Sequence, residues 1–247
     1  MKICIVSDIH FKFTRLDPEE QQRHRLVLDF FRECVGKYDL FILNGDIFDL
    51  WSETSHTIIK QYFPLLRLLA DIHDAGCKIV YISGNHDFWF GDFFADILPV
   101  EIHQDAYKNT CDGKRILVTH GDLHTVNDVR YRIFRSTLRT SLVRKLYGFL
   151  HPELGLQIGS RLSRSSNARR VYKDALRLKK AGLQSFAEHQ IKLQGYDIVV
   201  LGHSHHPLHL RLDKGEYLNC GDWMKNFTYI NIIDGFAELC NYAHKPE

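Results

Sequence analysis

No run of 18 apolar residues occurs in this chain, and Met1-Lys2-Ile3-Cys4 carries no signal-peptide pattern. Neither a helical membrane span nor export is therefore expected. Internal repeats and low-complexity tracts are absent, which removes solenoid and fibrous architectures from consideration. C-x-x-C pairs are missing too: Cys4, Cys34, Cys77, Cys111, Cys220 and Cys240 are scattered. Cys4, Cys220 and Cys240 fall in or beside apolar runs and read as small core residues in a reducing cytoplasm. Three disulfides are the alternative, but no secretion signal accompanies them. Acids are scarce in one stretch. Between Arg130 and Lys180 there are 14 Lys/Arg against Glu153 and Asp174, a net +12, while the remainder carries −10. Such segregation marks a separate surface or partner-facing element.

What is present is ordinary in bulk. The 247 residues are 45% hydrophobic and 25% charged, enough for one or two soluble globular domains with a sizeable core. The order of elements is more telling. Lys2–Ser7 is an apolar strand leading into Asp8-Ile9-His10. Helical spacing over residues 21–36, with Gly36 as a stop, precedes a second strand, Leu40–Leu43, that runs into Asn44-Gly45-Asp46-Ile47-Phe48-Asp49. A longer helix is predicted over 56–75, with Ile58, Ile59, Tyr62, Leu65, Leu66, Leu69 and Ile72 on its apolar face. The strand 78–83 follows and delivers Gly84-Asn85-His86-Asp87. This β-α-β-α-β alternation predicts parallel strands with helical crossovers.

After Asp87 comes an aromatic run, Phe88–Phe94, readable either as core beneath the loop or as the wall of an apolar groove. A fourth strand, 114–119, ends in His120-Gly121-Asp122. The strand pattern then stops for roughly 70 residues, and helical patterns recur around 134–150, 168–180 and 183–193 with arginines filling the gaps. A solvated basic bundle or a cap over the site would each suit them; departure straight from a site loop favours a cap, spanning about 128–194 of a single domain. Strand patterning resumes at Asp197–Leu201 and ends in Gly202-His203-Ser204-His205. Short antiparallel strands then follow to the end, with hairpin turns at Lys214-Gly215 and Asp234-Gly235.

Each strand exit is weak evidence alone, because a lone Asp is usually a cap and a lone His usually a hydrogen-bonding group. Together, every exit carries a ligand type, and most carry a glycine that lets the backbone turn and a ligand approach. Seven groups with one carboxylate shared give four ligands to each of two divalent ions, which suits in-line attack on phosphorus. Mixed imidazole, carboxylate and carbonyl ligands suit Mn, Fe or Zn.

The series D-x-H, G-D-x-x-D, G-N-H-D, H-G and G-H-x-H resembles that of the calcineurin-like metallophosphoesterases. The resemblance implies an α/β fold, a four-layered α/β/β/α sandwich with a helical cap insertion. It implies Asp8, His10 and His205 on one metal, Asn85, His120 and His203 on the other, and Asp46 bridging. It gives His86 the task of contacting the phosphate and stabilising charge or protonating the leaving oxygen, with Asp49 and Asp87 orienting ligands.

Length, the Gly45–Trp51 run, the aromatics after Asp87 and the basic insertion are similar to those of UDP-2,3-diacylglucosamine hydrolases of lipid A biosynthesis. These cleave a pyrophosphate to give UMP and 2,3-diacylglucosamine 1-phosphate. That resemblance implies Mn2+ as the metal of first choice and substrate contacts at Asn85, His86, Asp128, Ser166, Arg170, Lys173 and His203. It also implies a cytoplasmic enzyme bound peripherally to the anionic inner face of the inner membrane. Many of these hydrolases carry G-N-R-D where this chain has His86, a departure toward general phosphoesterases. Two rivals remain: a nucleotide or nucleic-acid phosphodiesterase using the +12 insertion on backbone phosphates, and a non-catalytic module, for which eroded ligand sets would be expected.

Overall fold

A computed structural model describes residues 1–14, 16–51, 53–54, 57–125, 135–140, 143 and 173–243, the side chains of 173–179 excepted. The first apolar run forms β1 (Lys2–Val6), and α1 (Pro18–Cys34) crosses over to β2 (Leu40–Asn44). Asp17 caps α1 by accepting from Glu20 N at 2.8 Å, and Pro18 sits where its missing N–H costs nothing. A second crossover, α2 (Phe63–Asp74), leads to β3 (Lys78–Ile82). Strands β1, β2 and β3 pair in parallel, as the alternation predicts.

α2 is shorter than the predicted 56–75. Pro64 lacks an N–H and its ring crowds the preceding turn, so the regular helix begins at Phe63 behind a tighter turn, Lys60–Tyr62. Two strands had no counterpart in the sequence reading: β4 (Glu101–His103), parallel to β3, and β5 (Ala106–Cys111). β5 pairs antiparallel with β6 (Lys114–Thr119). From Lys173 onward the helical patterns around 168–180 and 183–193 join in one helix, α3 (Lys173–Gln194), running through Gly182, while 168–172 and most of the 134–150 pattern lie outside the described residues. The strands β7 (Ile198–Leu201), β8 (Leu208–Leu212), β9 (Gly215–Asn219), β10 (Thr228–Ile233) and β11 (Phe236–Asn241) complete the chain.

Among the described residues two sheets result, ordered β11-β10-β1-β2-β3-β4 and β5-β6-β7-β9-β8. Three apolar layers separate four structural ones. Phe31, Phe41, Leu65 and Leu69 join α1 and α2 to the outer face of the first sheet. Ile5, Ile42, Val118, Val200 and Ile230 fill the space between the sheets. Leu183, Ala187 and Ile191 seat α3 on the second sheet with Leu117 and Val199. The stretch from Leu183 onward is thus the fourth layer of the sandwich, although the sequence reading carried the insertion to 194. The β1 to β3 strands are buried on both faces, which is why they read as continuous apolar runs. Among the described residues, no helix is long and apolar enough to cross a membrane. All six cysteines are free thiols, five of them buried.

Candidate metal centre

The parallel strands of both sheets end on the same side, and their exit loops interlock. Asp8 N donates to Gly45 O (3.1 Å) and His10 N to Asp46 O (2.9 Å), tying the β1 and β2 exits together. Gly202 N donates to His120 O (3.0 Å), tying the β6 and β7 exits. The approach is too close for side chains at two glycines. A Cβ on Gly84 would lie 2.2 Å from Asp46 Oδ1, and one on Gly202 would lie 2.1 Å from Ser7 Oγ.

Asp8 and Asp46, both buried, are each held by one oxygen and present the other. Asp8 Oδ2 accepts from Ser7 Oγ (2.7 Å) and His203 N (2.8 Å). Asp46 Oδ1 accepts from Asn85 N (2.8 Å) and His86 N (2.9 Å). Asp8 Oδ1 and Asp46 Oδ2 are buried and accept no hydrogen bond. Leaving two such oxygens unsatisfied is costly for a polypeptide alone, so the donor set fits cations. Asp46 Oδ2 lies 3.7 Å from His10 Nε2 and 3.5 Å from His120 Nε2. Asp8 Oδ1 lies 3.1 Å from His205 Nε2.

Among the described residues, three groups of ligand atoms converge within 4.8 Å: Asp8, His10 and His205; Asp46, His120 and His203; and His10, Asp49 and His86. Asn85 joins the second group, its Oδ1 3.3 Å from His120 Nε2. Five of these residues, Asp8, His10, Asp46, His203 and His205, have positive φ between 48° and 62°. Side-chain-bearing residues rarely adopt that conformation, and it clusters at functional sites.

Backbone carbonyls set the histidine tautomers. His120 Nδ1 donates to Asn44 O (2.9 Å) and His86 Nδ1 to Asp49 O (3.0 Å), so Nε2 is the working atom of each ring. Burial alone would lower His120, but the adjacent Asp46 carboxylate pushes it up to about 10. Burial would raise Asp46, yet His120, His86 and His10 hold it well below the usual carboxylate range. Burial, reinforced by the Asp46 charge, pushes Asp87 up to about 6. Asp87 points away from the ligand cluster: it accepts from the backbone of Asp46, Ile47, Phe48 and Gly84 and from the Tyr81 hydroxyl.

Two contributors escaped the sequence reading. Asp222 caps the backbone of Met224, Lys225 and Asn226 through Oδ1, while Oδ2 lies 3.5 Å from His205 Nδ1. Despite burial, these contacts hold its carboxyl below the usual range. Arg23, on α1, donates to Ile9 O (2.6 Å) and His10 O (2.9 Å), bracing the first exit loop from behind. A Gly-Asp pair after β9 was the only signal for Asp222; nothing distinguished Arg23 from a solvated helix face. The aromatic run divides: Phe90 and Phe94 are core around Trp51, while Phe88 and Trp89 are half-buried beside the insertion. Of the expected substrate contacts, Asp128, Ser166 and Arg170 lie outside the described residues. Lys173 opens α3, and its side chain is outside them too.

Residues 1–207 match the family described as Calcineurin-like phosphoesterase. The chain belongs to that family. It is therefore a metal-dependent hydrolase, and the family implies divalent cations at the convergent residues. This calcineurin-like phosphoesterase is 24% identical over 236 residues to the UDP-2,3-diacylglucosamine hydrolase of Haemophilus influenzae (strain PittGG), with 95% of both chains covered. It is 29% identical over 253 residues to the UDP-2,3-diacylglucosamine hydrolase of Porphyromonas gingivalis, covering 95% of this chain and 94% of that one. In fold it is similar to a solved archaeal phosphodiesterase, with a TM-score of 0.50 at 17% identity, over 97% of this chain and 99% of the other.

Proposed function

We propose that this phosphoesterase hydrolyses the pyrophosphate of UDP-2,3-diacylglucosamine to UMP and 2,3-diacylglucosamine 1-phosphate, a step of lipid A biosynthesis. The observation that carries the substrate is end-to-end similarity to hydrolases of that name, covering 94% or more of both chains. The reading assigns Asp8, His10 and His205 to one ion, Asn85, His120 and His203 to the other, and Asp46 to both. Asp46 Oδ2 supports the shared role, since histidines of both sets lie within 3.7 Å of it. Two divalent ions, Mn2+ in this proposal, would polarise the phosphorus and supply a nucleophile at neutral pH. His86, anchored through Nδ1 on Asp49 O, uses Nε2 toward the phosphate, stabilising its charge or protonating the departing oxygen.

Of the insertion about 128–194 in this single domain, the part before Leu183 serves as the cap. Asp128, Ser166, Arg170 and Lys173 reach the nucleotide and sugar, together with Asn85, His86 and His203. A net +12 between Arg130 and Lys180 supports attraction to the two phosphates and to an anionic bilayer on the cytoplasmic face of the inner membrane. The test is turnover with Mn2+ on three substrates: UDP-2,3-diacylglucosamine, its deacylated analogue, and a simple nucleotide diester. The diacyl substrate should be preferred strongly. Equal rates on all three would remove the lipid assignment and leave a general phosphodiesterase.

A further inference from the structure

Arginines of the insertion invite one reading, as cations for substrate phosphates, but two of them face the other way. Residues 135–138 form a helical turn, on which positions 135 and 139 share a face. Arg139 Nη2 donates to Gly84 O at 2.9 Å, and Nη1 donates to Gln104 O at 3.1 Å and Gln104 Oε1 at 3.3 Å. The guanidinium lies 5.2 Å from the centre of the Phe88 ring. Beside it, Trp89 Nε1 donates to Leu138 O at 3.0 Å. Arg135 Nε lies 2.8 Å from Asp122 Oδ2, a pair only 12% and 4% exposed, and Nη2 reaches Asp105 Oδ1 at 3.3 Å.

Gly84 immediately precedes Asn85, and Asp122 follows His120 by two residues. One turn therefore grips both loops whose ligand atoms meet, Asn85 Oδ1 and His120 Nε2 being 3.3 Å apart. We infer that Arg135 and Arg139 are positioning residues that set the Asn85 and His120 loops against each other. The inference rests on the reading of these two residues as ligands to one ion. A guanidinium suits the task because its planar fork engages several acceptors at fixed angles, which a lysine ammonium cannot reproduce. It follows that the 135–138 turn of the insertion is part of the metal centre's scaffold. A shift of the insertion is transmitted to Asn85 through the Gly84 carbonyl.

The experiment uses Arg135→Lys and Arg139→Lys, which keep the charge and lose the fork. Metal-free protein is titrated with Mn2+, hydrogen exchange is followed over residues 83–90, and kinetics are taken on bis-p-nitrophenyl phosphate and on UDP-2,3-diacylglucosamine. Expected are a roughly 10–100-fold weakening of one of the two Mn2+ sites, faster exchange in that loop, and a lower kcat on both substrates with KM little changed. A higher KM for the lipid nucleotide alone, with Mn2+ binding and exchange unchanged, would make the arginines substrate contacts and overturn the inference. Equal weakening of both sites with a lower Tm would mean general destabilisation and overturn it as well. If wild type cleaves only the small diester, the lipid assignment fails. The Mn2+ and exchange results still decide the role of the arginines.

Discussion

Replacing Asp87 with asparagine tests how the two loops around Asp46 are held. The carboxylate is fully buried, with Oδ1 accepting from Asp46 N (2.9 Å) and Gly84 N (3.0 Å). Oδ2 accepts from Ile47 N (2.7 Å), Phe48 N (3.3 Å) and the Tyr81 hydroxyl. With its pKa pushed up to about 6, Asp87 is still ionised at neutral pH and acts purely as an acceptor. An asparagine side chain offers one oxygen, so its NH2 must face at least two backbone N–H groups whichever way it turns. Two buried donors left unsatisfied at about 1–3 kcal/mol each give a loss of about 2–6 kcal/mol. In a protein of this size that lowers Tm by at least about 4 °C. The donors belong to the segments that carry Asp46 and lead into Asn85, so Mn2+ binding should weaken as well. Thermal and urea unfolding of the metal-free variant measure the first effect, and Mn2+ titration the second. An Asp87→Asn variant within about 0.5 kcal/mol of wild type, binding Mn2+ normally, would refute this account of the loops.

Asp46→Ala and His120→Ala should each abolish hydrolysis while near-UV circular dichroism stays native; wild-type rates in either would end the two-ion mechanism. Gly84→Ala drives a methyl to 2.2 Å from Asp46 Oδ1 and should cost most of the turnover with correct folding overall, read by kcat beside Mn2+ stoichiometry. Because Asp46 pushes His120 up to about 10, the metal-free protein holds a proton there at pH 7 that a cation must displace. Affinity for Mn2+ should therefore rise with pH below that value, and calorimetry in buffers of different ionisation enthalpy should detect the released proton. Glu20→Gln should cost about 1.5–3 kcal/mol at neutral pH through weakened charge-assisted bonds to Lys12 and Arg23. Burial opposes ionisation of Glu20, but His24, Arg23 and Lys12 hold its carboxyl well below the usual glutamate range in the fold. The penalty should be complete above pH ~4.3 and shrink as pH falls toward the native value, as paired denaturation curves would show.

The parallel half of the sandwich was legible because strands buried on both faces leave continuous apolar runs, and each run stops at a ligand type, with a glycine beside it after β2 and β3. β4 was not: Glu101-Ile102-His103 is too short to establish a period. β5, at a sheet edge, sets Lys108, Asn109 and Thr110 between the buried Tyr107 and Cys111 and reads like a loop. The convergence of Asp8, Asp46, His120 and His205 was readable in outline, since parallel strands must deliver their exits to one edge. Bracing groups were not. Arg23 has helix-surface spacing but turns inward because carbonyls of Ile9 and His10 need donors. Asp222 matters only through His205, a partner that chain order does not bring near.

The left-handed backbone at Asp8, His10, Asp46, His203 and His205 carries a consequence for anyone who would improve this protein. A side chain in that conformation costs roughly 1–2 kcal/mol relative to a relaxed residue, and glycine escapes the cost. Stability and chemistry thus ask for opposite residues at His10, His203 and His205, whereas Asp8 and Asp46 also accept buried backbone N–H groups that glycine would leave unsatisfied. A redesign scored on backbone strain alone would favour glycine at those histidines and remove three of the convergent ligands.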